Sequence, residues 1–349
     1  MADSHTSTCA PWERHDTERA SFWTSSGNHL LTDRQRADLV RKGLSFFPYK
    51  KTLYKTHVTE VYRVGVHIGH WYIVKRYDVG ALSRYQKKKA QDEVCIHAGL
   101  CGHPNVIGFY GAFTSARYMH MLMEYASKGD LYRLLVLNGT HNNSKRSNNG
   151  AGKRKDLNLP EHIAALVVAQ LVDVMIHLHD SHVMHRDIKP ENVLVDGDYN
   201  LRLTDFGLSI DTRHNKPNSR VGTLDYIAPE VLSSKTAPVE HQQQQQYDER
   251  ADVWALGVLT YELLLGFCPF SARTEADTVR CILDEDMFVP SCLSSAAASF
   301  LKKTIHKDPR ARPTMRELAT DTPWLENAKT EYEYRETVVP FMRAAFEHR

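Results

Sequence analysis

The chain has 349 residues, which is enough to bury a substantial core in one large domain or in two lobes. Hydrophobic residues make up 42% and charged residues 25% of the sequence, a balance typical of globular proteins that excludes a disordered or fibrous chain. The formal net charge is only +2, so we expect no strong charge-driven attraction to nucleic acid or to a membrane surface.

The six cysteines are scattered along the chain and include no C-x-x-C pair. A chain of this length does not depend on disulfide bonds for stability, so we expect reduced thiols and a cytoplasmic or nuclear protein. Residues 1–25 are polar and lack the apolar core of a signal peptide. We also expect no apolar run to reach the length of a membrane span.

Residues 1–46 are rich in Ser, Thr, Asp, Arg and His, and this composition predicts a flexible N-terminal extension. Within it, Thr32 and Gln35 have the spacing of a helix capping box, and Gly43 is a typical helix stop. The simpler interpretation is a short helix that packs on the domain. The alternative is a docking segment for a regulatory partner.

From residue 49 to residue 125 the pattern is rich in strands and contains one helical interval. Two β-prone runs, 58–66 and 71–77, predict a hairpin whose second strand contains Lys75. The helical interval that follows contains Glu93, and a further strand is predicted at 118–125.

The second half of the chain is predicted to be mainly helical. One helix is predicted at 158–179, with Pro160 in its first turn, and another at 252–265, where nearly every face is apolar. Two polar segments, at about 138–157 and 236–247, are predicted to be flexible insertions. The first contains Lys and Arg clusters, which suit either a solvated linker or a nuclear import signal. Residues 326–349 are predicted to be a C-terminal tail with helical bias.

A second hairpin is predicted within residues 185–207. Short β-prone runs flank the turn Asp196-Gly197-Asp198, which is expected to supply the positive φ angles of a tight reversal. In an antiparallel hairpin, the residue before the first strand and the residue after the second lie side by side. Asn192 and Asp205 are therefore expected to share one edge.

The side chains at this edge suggest a chemistry. An amide oxygen from Asn192 and a carboxylate from Asp205 are hard oxygen ligands of the kind that Mg²⁺ prefers. Asp187, in the loop that enters the same edge, is suited to orient a hydroxyl group and to accept its proton. The pattern predicts phosphoryl transfer.

The same stretch resembles the catalytic loop and the metal-binding motif of eukaryotic protein kinases. The family motifs H-R-D, D-F-G and A-P-E stand in that order at 185–187, 205–207 and 228–230. The resemblance implies an α+β chain with a bilobal protein kinase fold over residues 47–325. A small β-rich N-lobe would extend to about residue 125, followed by a larger helical C-lobe, with ATP and Mg²⁺ in the cleft.

The resemblance also implies a role for individual residues. Asp187 would orient the substrate hydroxyl, and Lys189 would neutralise charge on the γ-phosphoryl group. Lys75, held by Glu93, would bind the α- and β-phosphates. The metal would be held by Asn192 and Asp205. The other implied nucleotide contacts are Val61, Leu194, and the backbone of Glu124 and Ala126, with Met123 as the gatekeeper.

Three further contacts follow from the resemblance. Ser219 lies where many kinases carry an activating phosphate, and a phosphate there is expected to pair with Arg186. Asp252 is expected to hydrogen-bond the catalytic loop. Arg312 is expected to form an ion pair with Glu230, the last residue of the A-P-E motif.

The type of kinase is suggested by a few positions. Lys189 and Thr223 resemble the serine/threonine group rather than the tyrosine group. The stretches 123–135 and 222–230 look most like Aurora-type kinases. A protein substrate and ATP are the partners that this resemblance implies.

The sequence departs from the family in its nucleotide loop. The pattern G-x-G-x-x-G-x-V should end at Val61, but Tyr54, Thr56 and Thr59 stand where its glycines belong. Glycine matters there because the backbone must approach the phosphates in torsions that β-branched residues disfavour. Ile73 also replaces a small residue beside the adenine. These departures raise an alternative, a pseudokinase acting as a scaffold or allosteric partner, although the motif residues that carry the chemistry are all present.

Overall fold

The computed structural model describes residues 31–143, 158–233, 246–326, 328 and 330–347, together with the backbone at 22–23; at 138–143 it describes the backbone only. The chain divides into two compact units, Met1–Gly102 with Ile107–Tyr125, and His103–Val106 with Ala126–Arg349. The first unit is rich in strands and the second is mainly helical. The predicted α+β class is confirmed.

The first unit is built on one antiparallel sheet. Its strands are β1 Phe22–Trp23, β2 Tyr49–Lys55, β3 Thr59–His67, β4 His70–Asp78, β5 Phe109–Ser115 and β6 Tyr118–Glu124. They lie in the order β1-β5-β6-β4-β3-β2. The predicted hairpin is formed by β3 and β4, and Lys75 in β4 lies directly opposite Val61 in β3.

Two helices, α1 Asp33–Lys42 and α2 Arg84–Leu100, pack on this sheet. The helix α1 begins with the predicted capping box and ends at Gly43. Its Leu39 is fully buried in a cluster that includes Val64 and Phe113 of the sheet. Residues 31–46 therefore belong to the folded unit. The simpler interpretation, a short helix that packs on the domain, is confirmed, and the flexible part of the extension predicted at 1–46 does not include these residues.

The second unit is mainly helical. Its helices are α3 Leu131–Asn143, α4 Glu161–Asp180, α5 Pro229–Ser233, α6 Arg250–Leu265, α7 Glu275–Asp284, α8 Ser295–Thr304, α9 Met315–Asp321, α10 Pro323–Glu326, α11 Glu331–Glu333 and α12 Val339–Glu347. The predicted helices at 158–179 and 252–265 are confirmed as α4 and α6. Pro160 lies one residue before α4 rather than in its first turn. The helix α6 is buried almost throughout, with Trp254 fully enclosed.

By length and composition alone, α4 is apolar enough to cross a membrane. In the fold, however, 61% of its most apolar stretch is buried inside the protein, which is the environment of a core helix.

Short strands complete the second unit: β7 Gly129–Asp130, β8 Val183–Met184, β9 Val193–Val195, β10 Leu201–Leu203 and β11 Ile210–Asp211. The predicted second hairpin is formed by β9 and β10. Its turn is in the predicted place, but the positive φ of 66° lies at Tyr199 and not within 196–198. The Asp196 carboxylate organises the turn instead, accepting hydrogen bonds of 2.9 Å from the N–H groups of Asp198 and Asn200.

The boundaries of the predicted insertions need correction. The helix α3 continues to Asn143, so the first insertion begins as helix. The remainder of that insertion, including its Lys and Arg clusters, lies outside the described residues. So do residues 234–245, which make up most of the second insertion.

The predicted C-terminal tail is part of the second unit. A π-helical turn, Tyr334–Val338, joins α11 to α12. Tyr334, Val338 and Met342 recur four residues apart and are all buried. Their spacing places them on one helical face, and the burial of that face makes this segment part of the core.

Candidate active site

A buried carboxylate at the start of α6 holds the catalytic loop. The N–H of His185 donates to Oδ2 of Asp252 at 2.9 Å, and the N–H of Arg186 donates to Oδ1 at 2.8 Å. Nε2 of His179 lies 3.1 Å from Oδ2. Burial tends to raise the pKa of this carboxyl, but the His179 contact and the hydrogen bonds from the loop hold it below its ordinary value. The expected contact between Asp252 and the catalytic loop is confirmed.

The carboxylate of Asp187 is buried and is bound on both oxygens. Oδ1 accepts hydrogen bonds from the N–H and from Oγ1 of Thr223, each at 3.0 Å. Oδ2 accepts from Nζ of Lys189 at 2.8 Å and from Nδ2 of Asn192 at 2.9 Å. Lys189 also donates to Oγ1 of Thr223 at 2.6 Å. These donors fix the orientation of the carboxylate.

Asn192 and Asp205 flank the open end of the β9–β10 hairpin. The N–H of Thr204 donates to the carbonyl oxygen of Asn192 at 3.0 Å, so Asp205 follows the residue that pairs with Asn192. Asp205 is exposed and has a left-handed φ of 63°. The amide nitrogen of Asn192 donates to the carbonyl of Asp187, so the amide oxygen is the atom of this side chain suited to a cation. An amide oxygen beside an exposed carboxylate fits Mg²⁺.

In the first unit, Lys75 and Glu93 form the expected ion pair, with Nζ 2.7 Å from Oε1. The two side chains are only 16% and 4% exposed. The hydroxyl of Tyr77 donates to the other oxygen of Glu93, and Nζ of Lys75 lies 5.5 Å from the centre of its ring. Burial, reinforced by the charge of Glu93, raises the pKa of Tyr77, so this hydroxyl keeps its proton. The Glu93 carboxylate is therefore held on both oxygens.

The loop between β2 and β3 is closed by a threonine side chain. The N–H of Thr56 donates to the carbonyl oxygen of Thr59 at 2.7 Å. Oγ1 of Thr56 accepts from the N–H of Thr59 at 2.9 Å and from that of Val58 at 3.3 Å. None of residues 54–59, all of which are described, has a positive φ. Threonine therefore fits this turn without strain, and its side chain occupies two backbone N–H groups.

The other positions implied to contact the nucleotide lie on strands or beside them. The N–H of Glu124 donates to the carbonyl oxygen of Gly108 at 2.8 Å, and its carboxylate accepts from the N–H of Gly108 at 2.9 Å. These two bonds fix the end of β6. The remaining positions are buried or half-buried: Val61, Ile73, Met123, Ala126 and Leu194. Their contact with a nucleotide stays a prediction.

A sequence profile of the family described as "Protein kinase domain" matches residues 51–325. The chain belongs to the protein kinase family. The bilobal protein kinase fold that the motifs implied is therefore confirmed, and the two compact units are its two lobes.

Among the relatives of this kinase chain are Aurora kinases. The Aurora kinase of Eremothecium gossypii is 33% identical over 244 residues, which make up 70% of this chain and 58% of that protein. The serine/threonine-protein kinase Aurora-2 of Arabidopsis thaliana is 34% identical over 236 residues, or 67% of this chain and 73% of that protein. The aligned part thus covers little more than half of the fungal relative. The predicted resemblance to Aurora-type serine/threonine kinases is confirmed.

In this kinase fold, Arg186 connects the D-F-G segment to the segment that carries Ser219. Its Nε donates to the carbonyl oxygen of Leu208 at 2.7 Å, and its Nη1 lies 3.3 Å from Oγ of Ser219. Arg186 itself has a left-handed φ of 67°. The structure thus brings together the two residues that the sequence predicted to be regulatory, while their regulatory role stays a prediction.

The A-P-E motif is anchored as expected. Nη1 and Nη2 of Arg312 donate to the two oxygens of Glu230 at 2.7 and 2.8 Å. The guanidinium is fully buried, and its other N–H groups bind the carbonyl oxygens of His306, Arg250 and Lys307. This bidentate pair with satisfied remaining donors fixes the segment after Thr223.

Three side chains of the kinase site were missed by the sequence interpretation: Tyr77, Tyr247 and Thr56 as a turn-closing residue. The spacing of Tyr77, two residues after Lys75 in a strand, was an available signal, because such residues share one face of a sheet. No sequence pattern indicated a role for Tyr247, because it follows a polar insertion and only the tertiary fold brings it to Arg186.

Proposed function

We propose that the chain is a serine/threonine protein kinase that transfers the γ-phosphoryl group of Mg-ATP to hydroxyl groups of proteins. The observation that carries this proposal is the binding of Asp187. Its carboxylate is held by Thr223 on one oxygen and by Lys189 and Asn192 on the other. A scaffold would have no need to fix one carboxylate so closely beside a lysine and a potential metal ligand.

In the proposed reaction, Asp187 orients the substrate hydroxyl and accepts its proton as the oxygen bonds to the γ-phosphorus. The bond to the β–γ bridging oxygen breaks and ADP leaves. Lys189, 2.8 Å from Asp187, neutralises negative charge on the transferred group. Thr223 keeps both side chains in place through its hydroxyl.

The residues proposed to hold the nucleotide and its metal are those that the kinase motifs imply. Lys75, kept in place by Glu93, would bind the α- and β-phosphates, and Asn192 with Asp205 would hold Mg²⁺. The metal ion would neutralise charge on the phosphate oxygens. The remaining contacts proposed for the nucleotide are Val61, Glu124, Ala126 and Leu194. The lack of a glycine-rich loop leaves the phosphates more dependent on Lys75 and the metal ligands.

We further propose that Ser219 is a regulatory phosphorylation site and that Arg186 binds its phosphate. The support is the distance of 3.3 Å between Oγ of Ser219 and Nη1 of Arg186. A phosphate would give this arginine an ionic partner next to Asp187. Equal activity of Ser219→Ala and of wild-type protein phosphorylated at Ser219 would contradict this role.

The domain limits follow from the same proposal. The kinase domain is placed at 47–325, with the N-lobe to about residue 125 and insertions at about 138–157 and 236–247. Residues 1–46 would serve as an extension open to a regulatory partner, with α1 as its folded end. Cytoplasm or nucleus is the proposed location.

The test is Mg²⁺-dependent incorporation of phosphate from ATP into a generic basic protein. We expect wild-type protein to be active and Asp187→Asn to lose about 100-fold or more, because the proton acceptor is removed. Asp180→Asn is the matched control, since Asp180 is an exposed partner of Arg316 and should leave the rate unchanged.

The alternative of a pseudokinase predicts a different result. Neither wild type nor Asp187→Asn would incorporate phosphate, and the melting temperature of wild type would rise with a protein partner but not with Mg-ATP. That pair of results would overturn the proposed activity.

A further inference from the structure

Tyr247 lies at the centre of a hydrogen-bonded cluster that the proposed reaction does not use. Its hydroxyl accepts a hydrogen bond from Nη1 of Arg186 at 3.0 Å and donates one to the carbonyl oxygen of Ser219 at 2.8 Å. Its backbone N–H donates to the carbonyl oxygen of Pro217 at 3.2 Å. The ring is buried, with 6% of its surface exposed. Tyr247 therefore binds the segment 217–219 through two hydrogen bonds and Arg186 through a third.

Among the residues that the structure describes, no carboxylate pairs with Arg186. Its guanidinium is bound to the carbonyl of Leu208 and to the hydroxyls of Ser219 and Tyr247, which are all neutral oxygens. Arg186 is only 8% exposed. A buried cation is costly unless its donors are satisfied, and Tyr247 supplies one of the acceptors here.

The segment that Tyr247 holds leads directly to the catalytic carboxylate. Gly222 has a left-handed φ of 110°, and a Cβ added there would lie 2.7 Å from the carbonyl oxygen of Arg186. The next residue, Thr223, donates its N–H and its hydroxyl to Oδ1 of Asp187. The chain is therefore fixed at Ser219 by Tyr247 and at Thr223 by Asp187, with a close backbone approach between them.

We propose that Tyr247 is a positioning residue that keeps the segment 217–223 in its catalytic arrangement while Ser219 carries no phosphate. The neutral hydroxyl satisfies Arg186 and the Ser219 carbonyl together, so Thr223 stays bound to Asp187 before any modification. A phosphate on Ser219 would then give Arg186 an ionic partner, while the segment 217–223 would keep the conformation that it already has. The part of this inference that concerns rate rests on the proposed function, whereas the part that concerns the conformation of the segment does not.

The test compares Tyr247→Phe with Tyr261→Phe, using full-length protein treated with a phosphatase. Both variants remove one buried tyrosine hydroxyl, and that of Tyr261 donates to the carbonyl oxygen of Phe288, a contact unrelated to Arg186. The first measurement is hydrogen exchange at the N–H of Thr223, which donates to Asp187. We expect exchange about tenfold faster in Tyr247→Phe and unchanged in Tyr261→Phe, since the lost hydrogen bond that holds the segment, the one to the Ser219 carbonyl, is worth about that factor.

The second measurement is the rate of phosphate transfer to a basic protein. We expect kcat to fall about tenfold in Tyr247→Phe, with the KM for ATP unchanged, because the segment orients Asp187 and does not bind the nucleotide. The melting temperatures of the two variants should fall by similar amounts, which separates positioning from general loss of stability.

Equal exchange at Thr223 in the two variants would overturn the inference. So would an equal kcat. If wild-type protein transfers no phosphate at all, the proposed function fails, and the exchange measurement alone still decides whether Tyr247 holds the segment.

Discussion

At the scale of single residues, the carboxylates in this kinase fold are held by more donors than an ion pair would supply. Asp252 is bound by two backbone N–H groups and a histidine, and Asp187 by Thr223, Lys189 and Asn192. Glu93 is bound by Lys75 and Tyr77. Buried carboxylates need such donors because removing one leaves a charge that the interior cannot solvate.

Tyr77 gives a prediction at this scale. Tyr77→Phe removes a donor from the buried Glu93, and we expect the free energy of unfolding to fall by about 1.5–3 kcal/mol, the range for hydrogen bonds to charged groups. The KM for ATP should rise several-fold, because Lys75 is less firmly held. Urea denaturation and steady-state kinetics measure the two effects.

The control for this variant is Tyr62→Phe. The hydroxyl of Tyr62 also bonds a carboxylate, that of Glu60, but Lys55 and Arg76 remain paired with Glu60. We expect a smaller loss of stability and no change in the KM for ATP. A KM that is unchanged in Tyr77→Phe as well would show that this hydroxyl does not contribute to holding Lys75.

At the scale of elements, the β9–β10 hairpin is braced by the C-terminal helical segment. The hydroxyl of Tyr334 donates to the carbonyl oxygen of Tyr199 at 3.0 Å, at the left-handed residue of the turn. Lys128 lies 4.6 Å from the centre of the Tyr199 ring and 3.7 Å from Glu347. The hairpin that carries Asn192 at its other end is thus supported by residues beyond the matched kinase profile.

The bracing segment gives a second prediction. Met342 is fully buried, so Met342→Ala should lower the free energy of unfolding by about 2–5 kcal/mol through lost contacts and the cavity left behind. Glu331→Ala, at an exposed position paired with Arg335, should change it by less than about 0.5 kcal/mol. Urea denaturation measures both. Similar small effects of the two substitutions would mean that the segment does not stabilise the fold.

At the scale of the whole molecule, buried histidines make stability depend on pH. Burial, with a smaller contribution from Arg76, lowers the pKa of His120 to about 4. Burial also lowers the pKa of His185, against the opposing effect of nearby carboxylates. Both imidazoles are therefore neutral in the fold at pH values where an unfolded chain, with a histidine pKa of about 6.5, takes up protons.

The sign of the effect follows from this difference. Between about pH 6.5 and pH 4 the unfolded chain binds more protons than the folded one, so we expect the free energy of unfolding to fall as the pH is lowered. Each such histidine contributes up to about 1.4 kcal/mol per pH unit in its window. Denaturation at a series of pH values measures the slope.

A substitution isolates the part due to His120. The ring of His120 stacks on Phe113 at 4.6 Å, so His120→Phe keeps a flat ring and removes the titrating group. The slope between pH 6.5 and pH 4 should become smaller than in wild type, while His162→Gln, at an exposed site, should leave it unchanged. An undiminished slope in His120→Phe would assign the pH dependence to other groups.

The structure agrees with the sequence interpretation for secondary structure that depends on neighbouring residues. The hairpins, the capping box at Thr32 and the apolar helix around Trp254 depend on residue type and spacing over short stretches, and all were predicted. The interpretation failed where a side-chain hydrogen bond decides the backbone conformation. The left-handed turn residue was expected within 196–198, but the Asp196 carboxylate caps the turn and moves that torsion to Tyr199.

The sequence by itself determined the family and predicted the residues of the proposed reaction, because phosphoryl transfer requires particular side chains at fixed spacings in the catalytic loop and the D-F-G segment. Only the tertiary structure decided which donors hold those side chains: Thr223 on Asp187, Tyr77 on Glu93 and Tyr247 on Arg186. Such partners come from distant parts of the chain, and any residue with a hydroxyl can serve. The choice is therefore made by packing and leaves no local pattern.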